Sequence, residues 1–153
     1  MSDCLHKLAP ALFCPSSQPG VDNCRVLGVV QPGADGPEIA YLSEYLPATE
    51  EVLRMASPDR PTEVFRLAAS CQTCMCSHFD GTSCGLANRI VQILPAATAT
   101  LPRCTIRAKC RWFRQEGKAA CQRCSRVTTE MYEPSEAMQQ VIALPPVLAS
   151  HRL

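Results

Sequence analysis

Eight cysteines and one histidine fall within residues 71–124 of this chain. The first group reads Cys71-Gln-Thr-Cys74-Met-Cys76-Ser-His78 and is followed by Cys84. The second is Cys104, Cys110, Cys121 and Cys124. Thiolates at this density repel one another and oxidise readily unless a metal ion, an iron–sulfur cluster or disulfides engage them.

The second group has the spacing C-x5-C-x10-C-x2-C. A C-x2-C pair sets two sulfurs on one turn, which serves zinc and iron–sulfur clusters alike. Three features favour a four-iron cluster. The surrounding sequence is helical rather than knuckle-forming. The gaps of five and ten are irregular for a zinc finger. Trp112 and Phe113, the only adjacent aromatics, follow Cys110 and would keep water off a cluster; equally, they are ordinary core residues. The alternative is a zinc-binding structural or interaction module that contacts protein or nucleic acid.

The first group supplies Cys71, Cys74, Cys76, His78 and Cys84, five candidates where a metal site needs four. Cys84 opens a helix, whose dipole favours its thiolate. His78 is a ligand or a plain loop residue. Met75 adds a soft donor compatible with Cu(I). Either each group builds its own site, or Cys71 and Cys74 join Cys121 and Cys124 as the halves of one zinc site; separate sites are expected, because each group already holds four ligands close together. Cys4, Cys14 and Cys24 are either further ligands or small apolar residues.

Charge is uneven around this pattern. Residues 1–100 carry six basic and ten acidic side chains, whereas residues 101–127 carry eight basic ones against Glu116 alone. Arg and Lys beside a tetrathiolate site offset its negative charge and lower thiol pKa values. A nucleic-acid patch would also be basic, but the interleaved aromatics or groove-reading element it needs are missing, so nucleic acid is not the expected partner; a protein is.

Disulfides are not expected to use these thiols. Eleven cysteines is an odd number. The N-terminal stretch is broken by Pro10 and Pro15 and lacks a signal-peptide apolar core. No apolar run is long enough for a membrane span. The expectation is a cytoplasmic protein in which clustered cysteines bind metal.

The elements that must position these residues are short. Thirteen prolines demand stiff connections, and an aliphatic composition with 5% aromatics supplies the core. Residues 1–23 read as irregular. Within 24–70, Arg25–Val30 and Glu38–Ser43 flank the turn-forming Gln31–Pro37 and predict a β-hairpin. Thr49 caps a short helix from Glu50 to about Ala56, and residues 63–69 are ambiguous. In the cysteine-rich core, 71–127, Leu86, Ile90, Val91, Ile93 and Leu94 line one face of a helix stopped by Pro95. A helix over 106–115 ends at Gly117, and a second holds Cys121 and Cys124. Residues 128–153 carry a last helix, capped by Ser135, and a loose tail.

The pattern predicts one small α+β domain, an N-terminal hairpin followed by short helices around cysteine-ligated metal. A 4Fe-4S cluster bound by Cys104, Cys110, Cys121 and Cys124 would transfer electrons or sense oxidants for a partner protein. No nucleotide cradle, nucleophile elbow or metalloprotease motif is present, so catalysis by the chain alone is not expected.

Overall fold

Proline and glycine punctuation divides the chain into elements of two to nine residues. The structure is a computed structural model that describes residues 11–34, 36–127, 129 and 136–143. In order, these form β1 (Phe13–Cys14), β2 (Arg25–Gly33), β3 (Gly36–Tyr41), α1 (Glu50–Arg54), α2 (Pro61–Val64), β4 (Phe65–Ser70), α3 (Gly85–Ile93), α4 (Arg111–Glu116), α5 (Lys118–Cys121) and α6 (Glu136–Ile142). The fold is therefore α+β, with one antiparallel sheet in the order β1-β4-β2-β3 and several short helices.

The hairpin forms, but its turn is tighter than expected: β2 runs on to Gly33 and β3 starts at Gly36, so most of Gln31–Pro37 is strand, with Gly33 opposite Gly36 at the tip and Gly28 opposite Tyr41 at the base. Gly28 is required there. A Cβ would lie 2.6 Å from Ile39 Cγ2 and 2.7 Å from the Ala40 carbonyl oxygen. It also marks the register shift between β2 and β4, whose pairing resumes at Gly28 opposite Arg66 and Val29 opposite Phe65.

The ambiguous segment resolves into two elements. Pro61 starts α2 at the position where its missing N–H costs nothing. The chain then turns extended at Phe65 and becomes β4, every residue of which except Ser70 is buried. A strand covered on both faces shows no alternation, and Arg66 interrupts the apolar run from which such a strand is usually read.

Two layers of apolar side chains cover the sheet. The larger joins Leu27 and Ala68 to Ala87 and Ile90 of α3, Trp112 of α4, and Met138 and Val141 of α6. The smaller packs Val26, Phe65 and Leu67 against Ala56. Burying Ile90 completely is worth about 1.5–3 kcal/mol, which is why α3 keeps its apolar stripe inward.

Three other expectations are corrected. The helix over 106–115 is broken: a 3-10 turn at Arg107–Lys109 gives way to α4 at Cys110, whose backbone is extended (φ −83°, ψ 127°). Residues 1–23 are not all irregular, because β1 pairs with β4. The helix capped by Thr49 is shorter than expected, although the cap is present: the hydroxyl accepts from Val52 N–H at 3.2 Å. The Ser135 cap lies outside the described residues.

Candidate metal centre

Cys104, Cys110, Cys121 and Cys124 arrive at one place from four short pieces of backbone. Cys104 lies in the coil after Pro102. Cys110 closes the Arg107–Lys109 turn and precedes α4, Cys121 ends α5, and Cys124 opens the 3-10 turn Cys124–Arg126. Gly117 makes the reversal between α4 and α5 at φ 73° and ψ −155°, a conformation open to glycine and costly for other residues.

All four cysteines line one cavity of about 20 Å3, together with Tyr41, Arg107, Trp112 and Ala120. Pro15 and Pro102 complete its wall. Among the described residues, no three His, Cys, Asp or Glu side chains stand close enough to grip a single ion. The sulfurs surround a void rather than a point.

Charged and polar groups converge on these sulfurs. Arg66, 1% exposed, reaches from β4 and donates to Cys124 Sγ at 3.1 Å. Its remaining donors satisfy the carbonyls of Pro15 (2.5 Å), Cys124 (2.9 Å) and Val127 (2.8 Å), and its guanidinium lies 5.8 Å from the centre of the Trp112 ring. No carboxylate pairs with Arg66 among the described residues. A buried cation in that position calls for an anion, and the sulfur it touches is the group able to become one. Arg107 hydrogen-bonds the Cys121 sulfur and lowers its pKa against the larger upward push of burial. Burial raises Cys104 and drives Cys110 up to about 12, while the N–H groups of Phe113 and Trp112 pull Cys110 down less strongly. Burial thus favours the neutral thiol at Cys104, Cys110 and Cys121, while donors suited to the ionised form stand beside Cys110 and Cys121.

Among the described residues, three buried polar atoms of the side chains lining this cavity lack a hydrogen-bond partner: Tyr41 Oη, Arg107 Nε and Trp112 Nε1. Burial, and then the nearby Cys124 sulfur, push the Tyr41 hydroxyl well above its ordinary pKa. It is a proton donor at neutral pH, with a sulfur beside it. Four soft ligands, two guanidinium groups and orphaned donors fit an anionic sulfur-rich centre.

The basic excess of residues 101–127 has a divided role. Arg66, outside it, and Arg107 face sulfur. Arg123 and Arg126 instead hold the carbonyls of Leu94, Pro95 and Ala96, fastening the chain after α3 to the Cys124 turn. Arg103, Lys109, Arg114 and Lys118 are exposed.

The first cysteine group is split. Cys71, Cys76, His78 and Cys84 line a second, larger cavity of about 370 Å3, and Cys14 lines it with them. Cys74 does not; it is engaged in a disulfide. His78 Nδ1 lies 2.9 Å from Arg89 Nη2. Because a guanidinium only donates, Nδ1 accepts and the neutral ring carries its proton on Nε2. Burial, then Arg89, lowers the His78 pKa. The Met75 side chain is 83% exposed. Cys24 lies apart, with a weak contact to the Gln18 carbonyl at 3.9 Å. Cys4 is outside the described residues.

Cys84 caps α3, its sulfur accepting from Ala87 N–H at 3.4 Å. Gln115 of α4 brackets the Cys84 peptide, accepting its N–H at 2.7 Å and donating to its carbonyl at 2.8 Å. Trp112 is common to both cavities. Sequence reasoning missed Arg66, whose available signal was a lone arginine inside Val64-Phe-Arg-Leu-Ala-Ala69; it left Cys14 open as a ligand or a small apolar residue.

No protein family, no curated protein and no solved structure matches this chain. Among the described residues, no helix is long and apolar enough to cross a membrane.

Proposed function

We propose that the chain binds a four-iron iron–sulfur cluster through Cys104, Cys110, Cys121 and Cys124 and serves one-electron redox chemistry, transferring electrons to a protein partner or sensing oxidants. The observation that carries this reading is that the four cysteines line one cavity, with the buried guanidinium of Arg66, which meets no carboxylate among the described residues, donating to the Cys124 sulfur.

Spacing favours a cluster over zinc. Among the described residues, no three of these sulfurs stand close enough to hold one ion, whereas zinc needs four sulfurs at about 2.3 Å. A cubane takes one thiolate at each of four separated irons and spreads its ligands accordingly. Arg66, Arg107 and the orphaned donors of Tyr41 and Trp112 would offset its charge and set its potential. The cluster supplies the electron acceptor and donor orbitals; this chain's residues exclude water and hold the charge. The exposed Arg103, Lys109, Arg114 and Lys118 suit an acidic protein partner, which they would steer electrostatically.

Protein isolated without oxygen is expected to be brown, to absorb broadly near ~400 nm and to contain iron and acid-labile sulfide. Cys121→Ala or Cys124→Ala is expected to lose that iron and to unfold at a lower denaturant midpoint than the loaded wild type. Colourless protein holding zinc, or full iron retention by both variants, overturns the proposal.

A further inference from the structure

We infer that Cys14, Cys71, Cys76 and Cys84 form a second iron–sulfur site, separated from the first by Trp112. This set differs from the contiguous first group: it gains Cys14 from the N-terminal segment and loses Cys74 and His78.

The fold brings the four together by backbone pairing. β1 runs antiparallel to β4 with Cys14 opposite Ala69, and Cys71 N–H donates to the Leu12 carbonyl at 2.8 Å. That fixes Cys14 and Cys71 on adjacent strands. Cys76 follows the 3-10 turn Thr73–Met75, and the chain then folds back on itself. Gly85 N–H donates to the His78 carbonyl at 2.7 Å, and Phe79 forms a bridge with Cys84. Cys84 is thereby returned towards Cys76.

All four sulfur-bearing residues line the cavity of about 370 Å3. They lie within electrostatic reach of one another: Cys84, Cys71 and Cys76 each disfavour the Cys14 thiolate, and Cys76 and Cys71 do the same to Cys84. Cys14 is only partly covered by exposure yet deeply surrounded by neighbouring atoms; its residual surface belongs to the cavity. A second observation points to a ligand. Arg111 lines this cavity and not the first, and its buried Nε has no hydrogen-bond partner among the described residues.

Other uses of these thiols fit less well. The chain makes a disulfide at Cys74 but none among these four. No three of them converge on a point as zinc requires. His78 has its Nδ1 lone pair engaged by Arg89. Four thiols spread around a large space match a polynuclear cluster. Phe13 forms a parallel bridge to Cys110, and Trp112 walls both cavities, so the two centres would be close enough for their unpaired spins to interact.

The test is iron and sulfide analysis of the full chain, reconstituted anaerobically with ferrous iron and sulfide, together with electron paramagnetic resonance after reduction. The expected wild-type content is about eight irons per chain, falling to about four in Cys14→Ser and, separately, in Cys121→Ser. Each variant is expected to lose the spin–spin broadening of the wild type. Cys74→Ser and His78→Ala are expected to keep full iron content. If Cys14→Ser does not fold, Cys76→Ser, at a surface turn, takes its place. Wild-type protein with about four irons, all lost in Cys121→Ser and none in Cys14→Ser or Cys76→Ser, overturns the second site alone. Iron lost only in Cys14→Ser leaves the second site standing and removes the first.

Discussion

Replacing Arg66 by Met tests whether its guanidinium faces a bound cluster. The substitution keeps the volume and removes the fork. The carbonyls of Pro15 and Val127 lose the Arg66 donor, whereas that of Cys124 keeps the Val127 N–H at 3.3 Å; each carbonyl left dry costs about 1–3 kcal/mol. Removing a buried cation from beside neutral thiols offsets part of that loss. The net cost to the metal-free fold is therefore about 1–3 kcal/mol. With a cluster bound, a further contribution enters. Cys124 Sγ is 3.1 Å from Arg66 Nη2. At roughly 6 Å from guanidinium to cluster centre and an effective dielectric constant of about 20, one added electron interacts with Arg66 by about 3 kcal/mol. Since ~1.4 kcal/mol and ~59 mV both correspond to a tenfold change for one electron, the shift is roughly 100 mV. Its direction is negative, because the lost cation had stabilised the reduced, more negative state. A potentiometric titration followed by paramagnetic resonance measures it. Arg66→Lys keeps the charge but not the fork, so it is expected to match Met in lost stability while holding most of the potential. An unchanged potential in an Arg66→Met protein that retains its iron refutes the assignment of Cys124 as a ligand beside Arg66.

Two further outcomes follow from the thiols and from Gly117. Burial holds the Cys110 and Cys14 thiols up at about 12 in the metal-free fold, whereas unfolded thiols ionise near ~8.5. The unfolded chain thus sheds protons that the fold retains, so metal-free stability is complete below about pH 8.5 and falls above it by ~1.4 kcal/mol per pH unit for each such thiol. Metal-loaded protein, whose thiolates are already ionised, is expected not to show this fall; parallel declines in urea midpoints between pH ~8 and ~10 for both forms contradict it. Gly117→Ala meets no atom within 4 Å but must adopt φ 73°, so it is expected to cost about 1–3 kcal/mol in backbone strain and to slow cluster assembly by misaligning Cys121 against Cys110. A denaturant midpoint equal to wild type rules that out.

Local rules made part of this molecule legible. Gly33 and Gly36 announced the hairpin, Thr49 the cap, and the spacing of Leu86, Ile90 and Leu94 the helix that Cys84 begins. They failed where tertiary contacts decide. Phe65–Ser70 is a fully covered strand, so no alternation betrays it, and Arg66 looks like a surface residue until its four acceptors are seen together. Cys110 breaks an otherwise helical stretch because its backbone must turn extended to start α4. The grouping of Cys104, Cys110, Cys121 and Cys124 on one cavity follows their nearness in sequence. Cys14 lies more than fifty residues before Cys71, and only the pairing of β1 with β4 unites them. The disulfide at Cys74 left no trace in the spacing, which counts it as an equal of its neighbours.

Gln115 bears on how such a chain would fill. One amide side chain, rooted in the helix that Cys110 starts, holds both ends of the Cys84 peptide. Ordering either set of sulfurs therefore lends rigidity to the other. Were both proposed sites loaded, filling one would favour filling the other, to the extent that this amide couples α4 to Cys84.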